Sequence, residues 1–193
     1  PKHFRTAFLI FLVGLAVFEA QQVYAKKGFG FGSAMQNEKG AKDAADFFIA
    51  NNLKGPIFNN FDIGSYLLYR LYPNEKVFVD GRPEAYPVSF FQNIYIPMQL
   101  DKSGFEKENQ KYKFNTIFFS HTDQTPWAEK FLKQITNNKK WNIAYIDNYI
   151  VILIKNKNIK PVIKTDYSDM RSLIQLARFF QLANFEDQEI KVY

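Results

Sequence analysis

Apolar and polar positions along the chain follow two different periods, which predict helices and short strands in alternation. The first predicted helix carries an apolar stripe of helical spacing. Its members are Ala41, Ala44, Ala45, Phe48 and Ile49. This amphipathic helix begins near Gly40, and Gly55 and Pro56 end it.

Short runs rich in β-branched and aromatic residues predict the strands. They are PIFNNF at 56–61, KVFVD at 76–80, NTIFFSHT at 115–122, and the two strands of WNIAYIDNYIVILIKN at 141–156. In the last segment Asp147 and Asn148 supply a tight turn, so its two strands form a hairpin.

Helices are predicted between the strands. DIGSYLLYRLYP has Asp62 as its N-cap and ends at Pro73, while PWAEKFLKQITNN has Pro126 as its first helical residue. SFFQNIYIPMQL is apolar at helical spacing as far as Pro97, and FEKENQKYKF is an amphipathic helix or an extended arm. This order predicts an α/β fold, with a small sheet of mixed strands flanked by helices.

The chain after the hairpin predicts a helix in SDMRSLIQLARFFQLANFED and a new helix start at Glu186, a succession typical of helical repeats. Four regions follow from these patterns. They are an apolar N-terminal segment at 1–25, a glycine-rich linker at 26–39, an α/β domain at 40–158 and a C-terminal helical segment at 159–193.

The N-terminal segment is apolar without interruption from Ala7 to Phe18. Extended to 4–25, it reaches the roughly 20 residues that a transmembrane helix needs, and this is the structure we expect. The first residue, Pro1, indicates a piece of a longer protein. A basic start, a short apolar core and VYA at 23–25 also fit a cleavable signal peptide, and a buried helix is a third interpretation.

Composition narrows the classes of function. The absence of cysteine excludes a disulfide framework, a thiolate nucleophile and a cysteine-ligated metal site. With only two histidines, a histidine-rich metal site is also excluded, and we predict no cofactor. The net charge of +6 is dispersed among alternating acids and bases, so nucleic acid is not an expected partner.

Charged side chains are densest in VDGRPE. Asp80 follows a predicted strand, at the place where open α/β sheets bind ligands, and Asp80 and Glu84 bracket Arg82. That arrangement suits an anion, a sugar or acid–base chemistry. A structural role is the stronger interpretation. Asp80 and Gly81 are residues that favour a turn, and Pro83 keeps Arg82 extended. Arg82 can then pair with a carboxylate such as Asp62 or Glu84.

Two further polar groups follow predicted strands. Asn59, Asn60 and Asp62 open a helix, a place that suits either a polar ligand or a simple helix cap. His121 follows the third strand in FFSHTD, but the chain has no GxSxG nucleophile elbow. We therefore expect His121 to be a loop residue, and we predict no catalytic residue in this chain.

The order of several segments resembles that in one family. These segments are the apolar helix, PIFNNFDIGSYLLYRLYPNEKVFVDGRPEAYP, the NTIFFSHT strand and the hairpin. It is the C-terminal extracytoplasmic region of bacterial integral membrane glycosyltransferases of the GT-C type. In those proteins an N/YxDxGGYLxW segment and a VFIDGR strand end recur, and helical repeats often follow. The resemblance covers about residues 7–156 and is most specific over 59–82. Ser65 stands where a second glycine is usual, and Tyr69 where tryptophan is common.

The resemblance implies attachment to the bacterial cell membrane, an outward-facing domain, and a part in transferring sugar from a polyprenyl-linked donor, with a polypeptide as one kind of acceptor. In that superfamily the catalytic acid lies in an early loop among the transmembrane helices, so this chain is expected to be an accessory domain without activity of its own. Two other functions stay open. One is a secreted or surface-anchored binding module released after VYA, and the other is a free-standing α/β hydrolase or transferase that depends on Asp80 or His121.

Overall fold

The computed structural model describes residues 6, 8, 11–19, 41–155, 159–168 and 170–183. The chain divides into two compact units, Pro1–Glu38 and Lys39–Tyr193. The predicted helix start at Glu186 lies outside the described residues.

In the first unit, residues 11–19 are helical. Across the described ranges, no helix is both long enough and apolar enough to cross a membrane. The predicted transmembrane helix is therefore not supported. The remainder of its span, except residues 6 and 8, and the whole predicted linker lie outside the described residues.

The second unit contains the predicted alternation of helices and strands. The longer helices are α1 (Ala41–Ala50), α2 (Phe61–Leu71), α3 (Lys102–Tyr112), α4 (Pro126–Thr136) and α5 (Met170–Leu182). The strands are β1 (Ile57–Asn59), β2 (Thr116–Ser120), β3 (Asn142–Ile146), β4 (Ile150–Ile154) and β5 (Val162–Ile163). Short helical turns connect α2 to α3, at Pro83–Ala85, Val88–Phe90, Phe91–Tyr95 and Pro97–Leu100.

The strands form one five-stranded sheet in the order β1-β2-β4-β3-β5. β1 is parallel to β2 and β3 is parallel to β5, whereas β4 is antiparallel to both β2 and β3. The predicted α/β class, with a mixed sheet flanked by helices, is confirmed. β5 was not predicted, because it is only two residues long and lies in the segment predicted to be helical.

Side chains alternate between the two faces of the sheet, and each face is covered by helices. Phe119 of β2 packs in a cluster with α3, α4 and α5, while Phe118 packs in a second cluster with α1 and α2. Every residue of β2 is buried, as expected for a central strand covered on both sides. The fold is therefore three layers, with the sheet in the middle.

Two local predictions were wrong. α1 ends at Ala50 rather than near Gly55, because Asn52 turns into the left-handed conformation (φ 51°) and the N–H of Leu53 donates back to the carbonyl of Phe48. KVFVD does not form a regular strand but only a single parallel bridge, between Val77 and β1. The cause of this second difference is a side chain at the end of β1, described next.

Candidate functional site

Polar side chains are buried where the strands end. β1, β2, β3 and β5 run in one direction, so their carboxyl ends lie along one side of the sheet, the carboxyl edge. In open α/β sheets, ligands bind beyond this edge. The buried polar residues there are Asn59, Asn60, Asp80, Ser120, His121, Asp147 and Asn148.

Asn59 joins β1 to the segment that follows α2. Its Oδ1 accepts from the backbone N–H of Phe78 (2.9 Å), and its Nδ2 donates to the carbonyl of Val79 (2.7 Å). A side-chain amide thus takes the place of strand-to-strand hydrogen bonds, which is why KVFVD has so little regular pairing. Asn59 is fully buried, so its polar groups are committed to this contact.

Gly64 and Ser65 hold α2 against the same segment. A Cβ at position 64 would lie 2.0 Å from the carbonyl oxygen of Val79 and 2.7 Å from the Cα of Asp80, so only glycine fits. The Ser65 hydroxyl accepts from the N–H of Gly81 (3.0 Å). Ser65 therefore has a structural role in this chain.

Asp80 and Arg82 form a two-pronged ion pair. Nε of Arg82 donates to Oδ1 of Asp80 (2.9 Å) and its terminal amine to Oδ2 (2.7 Å), while the N–H of Asp80 donates to the Tyr86 hydroxyl (3.1 Å). The hydrogen bond from Arg82 is the main reason that the pKa of Asp80 lies below its usual value. A carboxylate held ionised in this way is a poor general acid.

The observed partner of Arg82 thus differs from the carboxylates suggested by the sequence, Asp62 and Glu84. Glu84 lies exposed in the turn Pro83–Ala85. Asp62 is exposed in the first turn of α2, and Asn60 rather than Asp62 occupies the N-cap. The helix begins earlier than predicted because Phe61 already has helical conformation.

Asn60 links β1 to β2 and to the loop that follows. Its Oδ1 accepts from the N–H of Ser120 (2.9 Å), and its Nδ2 donates to Oδ2 of Asp123 at the longer distance of 3.4 Å. The other oxygen of Asp123 accepts from the N–H of Thr125, the N-cap residue of α4. Asn60 and Asp123 are therefore brought together, but in a role that orients elements.

His121 lies in the turn directly after β2, with 7% of its surface exposed. Its Nε2 is 2.8 Å from the backbone oxygen of Asp147. Because a carbonyl only accepts, Nε2 carries the proton of the neutral ring and Nδ1 is the acceptor. Burial lowers the pKa of His121 to about 4, so the ring is neutral at pH 7.

The Ser120 hydroxyl is bonded to the Thr122 hydroxyl (2.9 Å) and not to His121. No Ser–His relay is therefore formed, because the imidazole proton goes to a backbone carbonyl. This geometry does not favour nucleophilic hydrolysis.

Asp147 and Asn148 were predicted only to form a turn, but in the structure they make further contacts. The Asp147 carboxylate accepts from the N–H of Tyr149 and Ile150 and from the Tyr145 hydroxyl, at 2.8, 2.7 and 2.9 Å. Burial nevertheless raises its pKa to about 6. The signal that could have identified it is the same as for Asp80, an acid directly after a buried strand.

The described residues offer little for metal or cofactor chemistry. They contain no cluster of three or more His, Asp or Glu side chains that could hold a metal ion. The cavity beside His121, which Asp123, Glu129 and Arg178 also line, measures about 20 Å³ and has room for one water molecule. A sugar or nucleotide does not fit there.

A larger groove of about 510 Å³ lies beside the amino end of β1, away from all the candidate residues of the sequence analysis. Glu75 and Lys76 line it together with Phe78, Tyr112 and Phe114. Its aromatic side chains come from the end of α3, from the connection between α3 and β2, and from the segment that follows α2. The groove and this meeting of segments were not predicted from the sequence.

Comparison of the chain with protein-family models, with curated proteins and with solved structures gives no match.

Proposed function

We propose that this chain is the extracytoplasmic accessory domain of a GT-C-like bacterial membrane protein, and that it takes part in sugar transfer from a lipid-linked donor without supplying catalytic groups. The observation that carries the proposal is the geometry of residues 59–82, the part of the chain in which the resemblance is most specific. Its distinctive side chains hold α2, β1 and the 78–82 segment together, as described for Asn59, Gly64 and Arg82.

An accessory role fits this use of the side chains. A catalytic acid needs a proton to give at working pH, whereas Asp80 is held ionised by Arg82. A rigid domain that presents its outer surface to an acceptor needs no such proton. It needs a polar network whose members are bonded to one another. The network at residues 59–82 meets that requirement.

Membrane attachment belongs to the same proposal. The apolar run from Ala7 to Phe18 would lie at the membrane, and a polyprenyl-linked sugar or a polypeptide acceptor would be the partner reached through the whole protein. The chemistry would then be supplied by residues upstream of this chain.

The first test is the intact mass of the native protein extracted from membranes with detergent. A species far heavier than 22.6 kDa, the mass of this chain, supports a longer membrane protein. A species of about 20 kDa in the soluble fraction contradicts it and favours a binding module released after Ala25.

The second test asks whether this chain turns over substrate. Purified chain is incubated with polyprenyl-phosphate sugar and a peptide acceptor, and product is followed by mass spectrometry. We expect no transfer. Transfer that disappears in Asp80→Asn but persists in the surface control Asp46→Asn would show a catalytic domain and contradict the accessory role.

A further inference from the structure

The helix α5 packs against the sheet near the carboxyl edge. Leu176 and Phe179 are buried in the same cluster as α4 and β2. The Phe179 ring lies against the His121 ring, with the two centroids 4.9 Å apart. Ser172 accepts from Nδ2 of Asn148 at 2.6 Å. His121 is thus the titratable side chain on which the apolar face of α5 directly packs.

The ring of His121 has one satisfied nitrogen and one unsatisfied nitrogen. Nε2 donates to the Asp147 carbonyl, whereas Nδ1 is buried with no hydrogen-bond partner in the part of the chain that the structure describes. Protonation would have to occur at Nδ1. It would create a cation in contact with Phe179 and without a protein acceptor, which is costly in a buried position.

The charged groups around the ring do not compensate for that cation. Asp123, on the loop after β2, accepts from the N-cap residue of α4, and Glu129 of α4 is paired with Arg178 of α5 at 3.0 Å. Arg178 adds a positive charge on the helix itself. The Asp147 carboxylate is bonded to the tyrosine of β3 and the backbone at the start of β4, so it is directed into the hairpin turn and is not paired with the cation.

We propose that His121 makes the docking of α5 sensitive to pH, so that acidification weakens the contact of this helix with the carboxyl edge and populates a state in which the apolar surface beneath it is uncovered. The docked helix requires a neutral ring at position 121. Once α5 has moved away, the ring is open to solvent and accepts a proton readily. Acid therefore favours the undocked state by mass action, and the rest of the sheet stays folded.

The expected size of the effect follows from linkage. A ring with an ordinary pKa of 6.5 in the undocked state and about 4 in the docked state lowers the docking equilibrium about 20-fold between pH 7 and pH 5. The quantity that changes is the docking equilibrium of α5.

The test is hydrogen–deuterium exchange of the full chain in a mild detergent at pH 7 and pH 5, corrected for the intrinsic pH dependence of exchange. Protection of residues 170–182 should fall about 20-fold relative to β4 in the wild type. His121→Gln keeps a donor toward the Asp147 carbonyl but cannot ionise, so its α5 protection should not change with pH. His3→Gln is the matched control and should behave as the wild type does.

Two results would overturn the proposal: unchanged protection of α5 in the wild type at pH 5, or the same loss in His121→Gln. If that variant does not fold, the wild-type ring is followed by NMR during the same titration. We expect ring protonation and loss of α5 protection to share one midpoint. A His121 ring that gains its proton near pH 6.5 while α5 stays protected would contradict the coupling.

Discussion

Two parts of the carboxyl edge use buried polar side chains in opposite ways. The Asn59 network, formed by Asn59, Ser65, Asp80, Arg82 and Tyr86, satisfies its members with one another and with nearby backbone. The His121 contact, formed by His121, Asp147 and Phe179, leaves Nδ1 without a partner among the described residues and buries a carboxyl whose pKa is raised to about 6.

The two parts of the carboxyl edge therefore differ in how they respond to pH. In the Asn59 network Asp80 and Arg82 are stabilised in their charged forms and Tyr86 in its neutral form, so the network is insensitive to pH near neutrality. In the His121 contact, burial favours the neutral forms of both titratable groups. The carboxyl edge thus contains the Asn59 network on the side of β1, which does not respond to pH and is called the fixed joint. It also contains the His121 contact on the side of β3, which does respond to pH and is called the titratable joint.

The largest expected effect comes from breaking the fixed joint at Gly64. In Gly64→Val the new Cβ would overlap the Val79 carbonyl, and backbone cannot rotate away as a side chain can. We expect a loss of about 3 kcal/mol or more in the free energy of unfolding, measured by urea denaturation. Gly81→Ala is the control and should cost less, because its Cβ would meet only the Ser65 hydroxyl. Equal losses would contradict the close approach at position 64.

A second way to break the fixed joint is Asn59→Ala. It leaves the part-buried N–H of Phe78 and the buried carbonyl of Val79 without the amide that now bonds them. We expect a loss of about 2–3 kcal/mol in the same denaturation experiment. The matched control is Asn51→Ala, whose amide bonds a carbonyl at an exposed position and should cost well under that. A loss for Asn59→Ala no larger than the control would show that the amide is replaceable.

The titratable joint predicts two opposing pH dependences. The folded-state pKa of Asp147 is about 6, above its ordinary value of 3.8, so between these values the folded state retains a proton that the unfolded chain has lost, and stability falls as the pH rises. The folded-state pKa of His121 is about 4, below 6.5, so in that window the unfolded chain binds more protons and stability rises with pH.

In the wild type these two slopes largely cancel between pH 4 and 6. Asp147→Asn should leave the rising slope of His121, and His121→Gln the falling slope of Asp147, each approaching about 1.4 kcal/mol per pH unit. Urea denaturation at half-unit steps of pH measures both. Variant slopes that match the wild-type slope would mean that neither group changes its proton affinity on folding.

The smallest effect is expected at the surface of the fixed joint. Arg82→Ala removes the partner of a carboxylate whose side chain is only 4% exposed, while the Arg82 side chain itself is 60% exposed. The Tm should fall, and by more than in Arg178→Ala, which breaks a pair whose two members are both more than half exposed. A Tm unchanged by Arg82→Ala would show that Asp80 does not need this partner.

Periodicity predicted most of the helices and strands because each has a well-defined apolar face. The pattern in PWAEKFLKQITNN led to α4 with Pro126 as its first residue, and the hairpin turn at Asp147 is also confirmed. The same reasoning failed for KVFVD, whose composition is that of a strand. Its pairing is taken over by the side chain of Asn59, and no local pattern reports a contact between residues 20 positions apart.

For the same reason, the positions of the candidate site residues could be predicted from the sequence, but their partners could not. Acids and amides at strand ends could be placed on one edge from the order of elements alone, and Asp80, Asn59 and Asn60 are indeed buried there. The choice of Asp80 as the partner of Arg82 depends on the exact backbone path through Gly81. Phe179 covers His121 because α5 docks there, and these two residues are nearly 60 positions apart in the chain.

The α/β class, the order of the elements and the polar residues at strand ends could be predicted from the sequence, because they depend on local periodicity and on turn chemistry. The hydrogen bonds among those residues, and the pKa of each, depend on how distant segments pack. Burial and hydrogen bonding, which set each pKa, arise when distant segments pack. The fixed joint at Asn59 and the titratable joint at His121 therefore became distinguishable only in the folded chain.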